Sequence, residues 1–169
     1  MDMAHAKALI GYNQWAHQRV WDCIATLDDE QFVRDVGYSW GSIRAQVVHV
    51  MSVDRRWFAR LQGGRMPDHL KPEDFATQAA VRDTWDQIQV GIRQTLADLD
   101  ERHLNDVLTY DMPHRGGIKS STAAEIIAHV VNHGTDHRAQ ILAMLHMLGA
   151  PTVEQDMMFY FWERGGQAQ

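Results

Sequence analysis

Apolar residues return every third or fourth position along four long stretches of this chain, a spacing that predicts four amphipathic helices. The first covers residues 3–27, with Ala8, Tyr12, Trp15, Val20, Ile24 and Leu27 in register and Gly11 the only internal breaker. The run Leu27-Asp28-Asp29-Glu30 then reads as a helix end and a short new start, with Asp28 or Asp29 as its cap. Ser42 caps a second helix to about Leu61, striped by Ile43, Val47, Val50, Trp57 and Leu61 and ended by Gly63-Gly64. A loop with Pro67 and Pro72 follows. The third helix covers about Thr77 to Leu99 on Val81, Trp85, Ile88, Ile92, Leu96 and Leu99; Arg82, Asp83, Asp86, Arg93 and Asp98 give it a solvated outer face.

The helical period lapses between Asp106 and Lys119, where VLTY, MPHRGG and IK predict a short extended excursion, an irregular hairpin. Thr122 and Glu125 then form a capping box for a fourth helix that runs to about Leu148 and stops at Gly149, with Pro151 just beyond. Its core stripe is Ile126, Val130, His133, His137, Ile141, Met144 and Leu148. The aromatic segment DMMFYFWERGG predicts a short fifth helix, packed across the bundle or against a partner. These elements predict an all-α fold, a four-helix bundle with an extended excursion before the last long helix, formed by residues 1–169 as one domain.

Composition narrows the function more than the fold. Hydrophobic residues at 45% and charged residues at 22% suit a soluble chain, and no apolar run is long enough for a membrane span. The N-terminus lacks a secretory pattern, and Cys23 is the only cysteine, so neither a disulfide framework nor a cysteine-rich zinc site is available. The expected compartment is the cytoplasm. A net charge of −6 without a Lys/Arg cluster argues against a nucleic-acid partner held by phosphate contacts. The oddity is ten histidines.

Three of them, His129, His133 and His137, follow one another at intervals of four in AHVVNHGTDHRAQ. Imidazoles so spaced lie on one helix face and can share a metal. The zincin glutamate is absent, since Val130 follows His129 and Gly134 follows His133. His133 and His137 replace apolar residues in the core stripe, His129 sits at its margin, and His146 falls outside it. His49 lies in the most apolar part of the second helix, between Val48 and Val50, where a lone histidine is more often a hydrogen-bonded core residue than a ligand. Bundles build metal sites from facing helices, and three imidazoles with an open position describe a catalytic zinc-type site. Zn, Ni, Co and Fe(II) all accept three nitrogens. Three unrelated core or surface histidines are the other reading of the pattern. His5 and His17 read as solvated or packing residues, and His69 and His114 as exposed.

Taken together, the segments YNQWAHQRVWDCIATLDDEQF, SIRAQVVHVMSVDRRWFARL and IIAHVVNHGTDHRAQI resemble the DinB-like (DinB/YfiT) superfamily of small bacterial four-helix proteins, across nearly the whole chain. The resemblance implies a metal held by one histidine of the second helix and a late HxxxH pair, which correspond here to His49, His133 and His137. Ala139 stands where the family often has glycine. It also implies a homodimer, to which the aromatic tail around Phe159, Tyr160, Phe161 and Trp162 offers apolar surface. Some relatives are thiol-dependent transferases. The expectation is therefore a divalent-metal protein (Zn or Ni) that uses a low-molecular-weight thiol on an electrophilic small molecule. The alternatives are a metal-dependent hydrolase and a non-catalytic metal-binding stress-response protein. Asp54 and Asp136 are candidate acceptors for the imidazole N–H groups, with surface ion pairing as the competing role; Arg138 reads as a structural ion-pair residue, and His129 as the residue placed to close the open metal position.

Overall fold

Each long helix begins where a short polar side chain can take up a free backbone N–H. The computed structural model describes residues 1–166. Helix α1 (Met3–Ile24) starts at Asp2, whose carboxylate accepts from His5 N at 2.7 Å. It ends three residues short of the predicted boundary. Thr26 Oγ1 donates to the Cys23 carbonyl (2.8 Å), and Leu27 enters the core from the turn that follows. The short α2 (Asp29–Val33) has a full Asp28/Gln31 capping box and buries Phe32. Helix α3 (Ile43–Leu61) is capped by Ser42 and closed near Gly63, which has φ +65°. Helix α4 (Gln78–Asp98) is capped by Thr77, and α5 (Ala123–Met147) by the predicted Thr122/Glu125 box. Last comes α6 (Met157–Arg164), capped by Asp156.

The excursion before α5 is more regular than its sequence suggests. Strands β1 (Val107–Met112) and β2 (Gly117–Thr122) pair antiparallel along their whole length, from Val107 opposite Thr122 to Met112 opposite Gly117. Gly116 and Gly117, at φ +83° and +87°, make a turn that a side chain would strain. Tyr110 meets Trp57 of α3 edge to face at 5.4 Å, which fixes the hairpin against the bundle.

Helix α5 packs against α1 and α3, and α3 packs against α4. The core falls into two apolar clusters. One holds Val20, Ile24, Val47, Met51, Trp85, Ile141 and Met144; the other holds Ala6, Ile10, Phe58, Ile92, Leu96, Ile127 and Val130. Between these sets every one of the four helices buries polar residues: Asn13 and His17 on α1, Asp54 on α3, Gln89 on α4, His137 and Arg138 on α5. A polar layer thus crosses the bundle at one level. Among the described residues no helix is long and apolar enough to cross a membrane.

Candidate metal centre

The polar layer opens to one side between α3 and α5, where the three predicted histidines meet. His49 is delivered by α3 between the fully buried Val48 and Val50; His133 and His137 are one turn apart on α5. His49 Nε2 and His133 Nε2 are 3.2 Å apart. The ring centroids of His137 lie 4.7 Å from His49 and 4.2 Å from His133. One nitrogen from each residue falls within 4.8 Å of the others. Nitrogens bound tetrahedrally at zinc distances are about 3.3 Å apart, so the His49–His133 pair already has ligand spacing.

Neighbouring carboxamides hold His137. Its Nδ1 lies 3.0 Å from Gln140 Oε1, which accepts from it in the tautomer that carries the proton on Nδ1 and leaves Nε2 for a metal. The Gln46 carboxamide touches the same Nδ1 and donates to Gln140 Oε1 at 2.8 Å. Ser39 Oγ is 2.8 Å from Gln46 Oε1 and 2.7 Å from Gln140 Oε1. Ser39 reaches them with φ +52°, an uncommon conformation outside glycine, and the same turn lays Trp40 flat on the His49 ring at 4.2 Å. His133 has no such support: its buried Nδ1 has no partner among the described residues.

Burial sets the charge state. It pushes His49 down to about 4, helped by His137 and His69, and His133 down to about 3, helped by His137, His49 and His129. Both rings are neutral at ordinary pH, the state in which imidazole binds a metal. Three convergent imidazoles with one ligand spacing in place can therefore hold a divalent metal ion.

The other candidate residues separate. His129 is exposed, with its ring edge-on to Trp57 at 5.0 Å and 5.7 Å from the His133 ring, and it lies outside the three-nitrogen group. Asp136 is exposed and touches no imidazole; it accepts from Gln140 Nε2 at 3.4 Å and so reaches His137 only through that carboxamide. Asp54 makes no surface ion pair. It is completely buried, neither carboxylate oxygen has a partner among the described residues, and burial pushes it up to about 7 against the opposing pull of Arg138. Nor, among the described residues, does Arg138 form an ion pair. Fully buried, it donates to Asn13, Gln155 (2.6 Å), Thr135 (3.0 Å) and Tyr12 (3.3 Å), all neutral acceptors. His17 is buried, edge-on to Trp85 at 4.6 Å. His5, His114 and His146 are exposed.

Sequence reasoning missed Gln46, Gln140 and Trp40. The first two had a readable signal, three residues before His49 and three after His137, and so on the same helix faces. Trp40 had none, because a loop turn delivers it.

A cavity of about 320 Å³ borders the centre on the α3 side, with Trp40, His49, Ser52, His69, Leu70 and Pro72 in its wall. His49 is the one member of the triad that it reaches. A larger cavity of about 900 Å³ lies between α1, α5 and the segment before α6, and none of the three histidines lines it.

A helical bundle with three convergent imidazoles and a neighbouring cavity defines a class of small proteins able to hold a metal between helices. Comparison with known proteins places the chain within that class. The DinB family profile matches residues 3–168, and the chain belongs to the DinB family. It is 28% identical over 159 residues to Protein DinB of Bacillus subtilis (strain 168), an alignment covering 91% of this chain and 92% of that protein. Two crystal structures share the fold at 13% identity. One is a conserved protein from Enterococcus faecalis, with a TM-score of 0.67 over 84% of this chain and 95% of the other. The second is a DinB-like protein from Bacillus cereus, with a TM-score of 0.62 over 83% and 92%.

Proposed function

We propose that His49, His133 and His137 hold a divalent transition metal, Zn or Ni, and that the protein is a metal-dependent transferase joining a low-molecular-weight thiol to an electrophilic small molecule. The observation that carries this reading is the meeting of three imidazoles beside a cavity, with His129 packed on Trp57 and no fourth protein ligand joining the group among the described residues. When bound, a divalent ion supplies Lewis-acid chemistry, stabilising the thiolate form of a coordinating thiol or, on the alternative hydrolase reading, activating water. In the metal-binding tautomer Gln140 accepts from His137 Nδ1, and Trp40 orients His49 while shielding one face from water. Leu70 and Pro72 give the neighbouring cavity an apolar wall suited to the carbon skeleton of an electrophile. The aromatic residues of α6 remain the proposed surface for a homodimer.

The test is turnover by metal-reconstituted protein, with low-molecular-weight thiols offered together with an aryl halide or an epoxide. A thioether product formed by wild type and absent with His133→Ala supports the transferase. Ester hydrolysis without thiol consumption would establish the hydrolase instead. Neither reaction, with metal bound, would leave the non-catalytic metal-binding role.

A further inference from the structure

Beyond His69 the cavity wall continues into a second hollow of about 460 Å³, between the C-terminal half of α3 and the tip of the hairpin. Its chemistry differs from that of the first. Arg56, Arg60 and Arg115 line it together with His69 and His114, and Asp111 is the one carboxylate in its wall. None of the three arginines has a carboxylate within salt-bridge distance among the described residues.

Arg60 is the informative member. Its side chain is only 9% exposed, yet its guanidinium has no charged partner. Nη1 makes a long 3.5 Å bond to the Arg56 carbonyl, Nη2 faces Met112 Sδ at 3.3 Å, and the buried Nε has no partner. Trp57 and Tyr110 lie against its charge, at 4.3 and 4.9 Å, and fix its position without consuming its hydrogen-bond donors. Arg56 has one Nη anchored on the Pro67 carbonyl, and the two guanidinium groups repel: burial lowers the Arg60 pKa and the Arg56 charge lowers it further. A buried guanidinium with spare donors beside two more cations is costly to maintain, and an anion that accepts from them removes that cost.

We propose that this hollow is an anion subsite that receives a carboxylate of a ligand whose reactive end lies at the three-histidine centre. Its link to that centre rests on the metal-site reading through His69, which stands in the walls of both cavities; its affinity for an anion does not. The ligand class is an organic acid extending from the His49 side to the arginines, with the carboxylate carried by the thiol or by the electrophile.

The experiment has two arms. In the first, succinate and its neutral diamide, succinamide, are titrated calorimetrically into the metal-free full-length protein. Succinate should bind and succinamide should not. Arg56→Gln and Arg60→Gln should each weaken succinate by about tenfold or more, the loss of one charge-assisted hydrogen bond. Thermal melting reports whether the Arg60 variant folds, and Arg115→Gln, changed at an exposed turn, keeps the test decisive if it does not. No binding of succinate to wild type, equal binding of succinamide, or unchanged affinity in the variants overturns the subsite. In the second arm, Co(II)-loaded protein is titrated with mercaptosuccinate and with neutral monothioglycerol, and the sulfur-to-cobalt absorption is read. A preference for mercaptosuccinate that Arg56→Gln removes assigns the carboxylate to the thiol. Equal binding of both thiols, with succinate binding intact, assigns it to the electrophile. Absence of the absorption band with any thiol, while succinate still binds, refutes the thiol reading and leaves the anion subsite standing.

Discussion

Gly134→Ala should destabilise this protein even though it replaces a glycine in the middle of a helix. Propensity alone would reward the change by about 1 kcal/mol. The position is buried on α5, between two of the convergent histidines, and an added Cβ would lie 2.4 Å from Asn13 Oδ1, 2.9 Å from Arg138 Nη1 and 3.1 Å from His17 Nε2. These atoms cannot yield cheaply, because all three residues are at most 3% exposed and Asn13 Oδ1 is an acceptor for the Arg138 guanidinium. Overpacking costs about 1–3 kcal/mol, and disturbing a hydrogen bond to a charged group about 1.5–3 kcal/mol. Against the propensity gain, the net loss is about 3 kcal/mol, or roughly 6–12 °C in Tm for a chain of this length. Gly91→Ala is the control: it is an exposed position on α4 with nothing within 4 Å of the added carbon, and it should gain up to about 1 kcal/mol. Thermal and urea melts of both variants decide the matter. A Gly134 variant as stable as wild type would refute the packed polar layer.

Asp54, held up to about 7 by burial against 3.8 when unfolded, binds a proton in the folded chain that the unfolded chain releases. Its contribution is present at low pH and lost as pH rises from about 4 to 7, a change on the order of 4 kcal/mol. Asp54→Asn should therefore flatten that part of the stability–pH curve, and an unchanged slope would contradict the burial. The histidines act in the opposite sense. His49 and His133, depressed to about 4 and about 3, bind protons more readily when unfolded, so metal-free protein should lose stability as pH falls below about 6.5, as urea melts at stepped pH would show. Gln140→Leu removes the acceptor at His137 Nδ1 and should weaken metal binding by about 10- to 100-fold in a chelator competition, with little change in an apo melt.

The helices were legible because two independent signals agree on them: apolar stripes, and capping side chains at positions such as Ser42 and Thr122. That the three candidate histidines could converge was legible because His133 and His137 occupy inward positions on one of those stripes and His49 lies in the most apolar part of another helix. Asp54 carried a signal of the same kind. It stands four residues after Val50 and four before Phe58, in the buried stripe of α3, and periodicity alone would have placed it inside. Its place in that stripe, not its distance along the chain from His49, sets its burial. The regular pairing of β1 and β2 was harder to see, because no side chain of either strand is buried and β2 lacks the alternation that β1 shows. Trp40 and the arginine pocket depend on a left-handed Ser39 turn and on the docking of the hairpin against α3, which are tertiary outcomes without a local period.

The central claim is that one metal ion is shared by three named imidazoles, and metal content measured by mass spectrometry tests it most directly. Untagged protein purified without added metal would be compared with His49→Ala, His133→Ala, His137→Ala and His129→Ala variants. The account predicts about one Zn or Ni per chain in wild type and in the His129 variant, and loss of metal in each of the other three. Wild type that takes up no metal on titration, or a His129 variant that loses it as completely as the others, would contradict the three-histidine site.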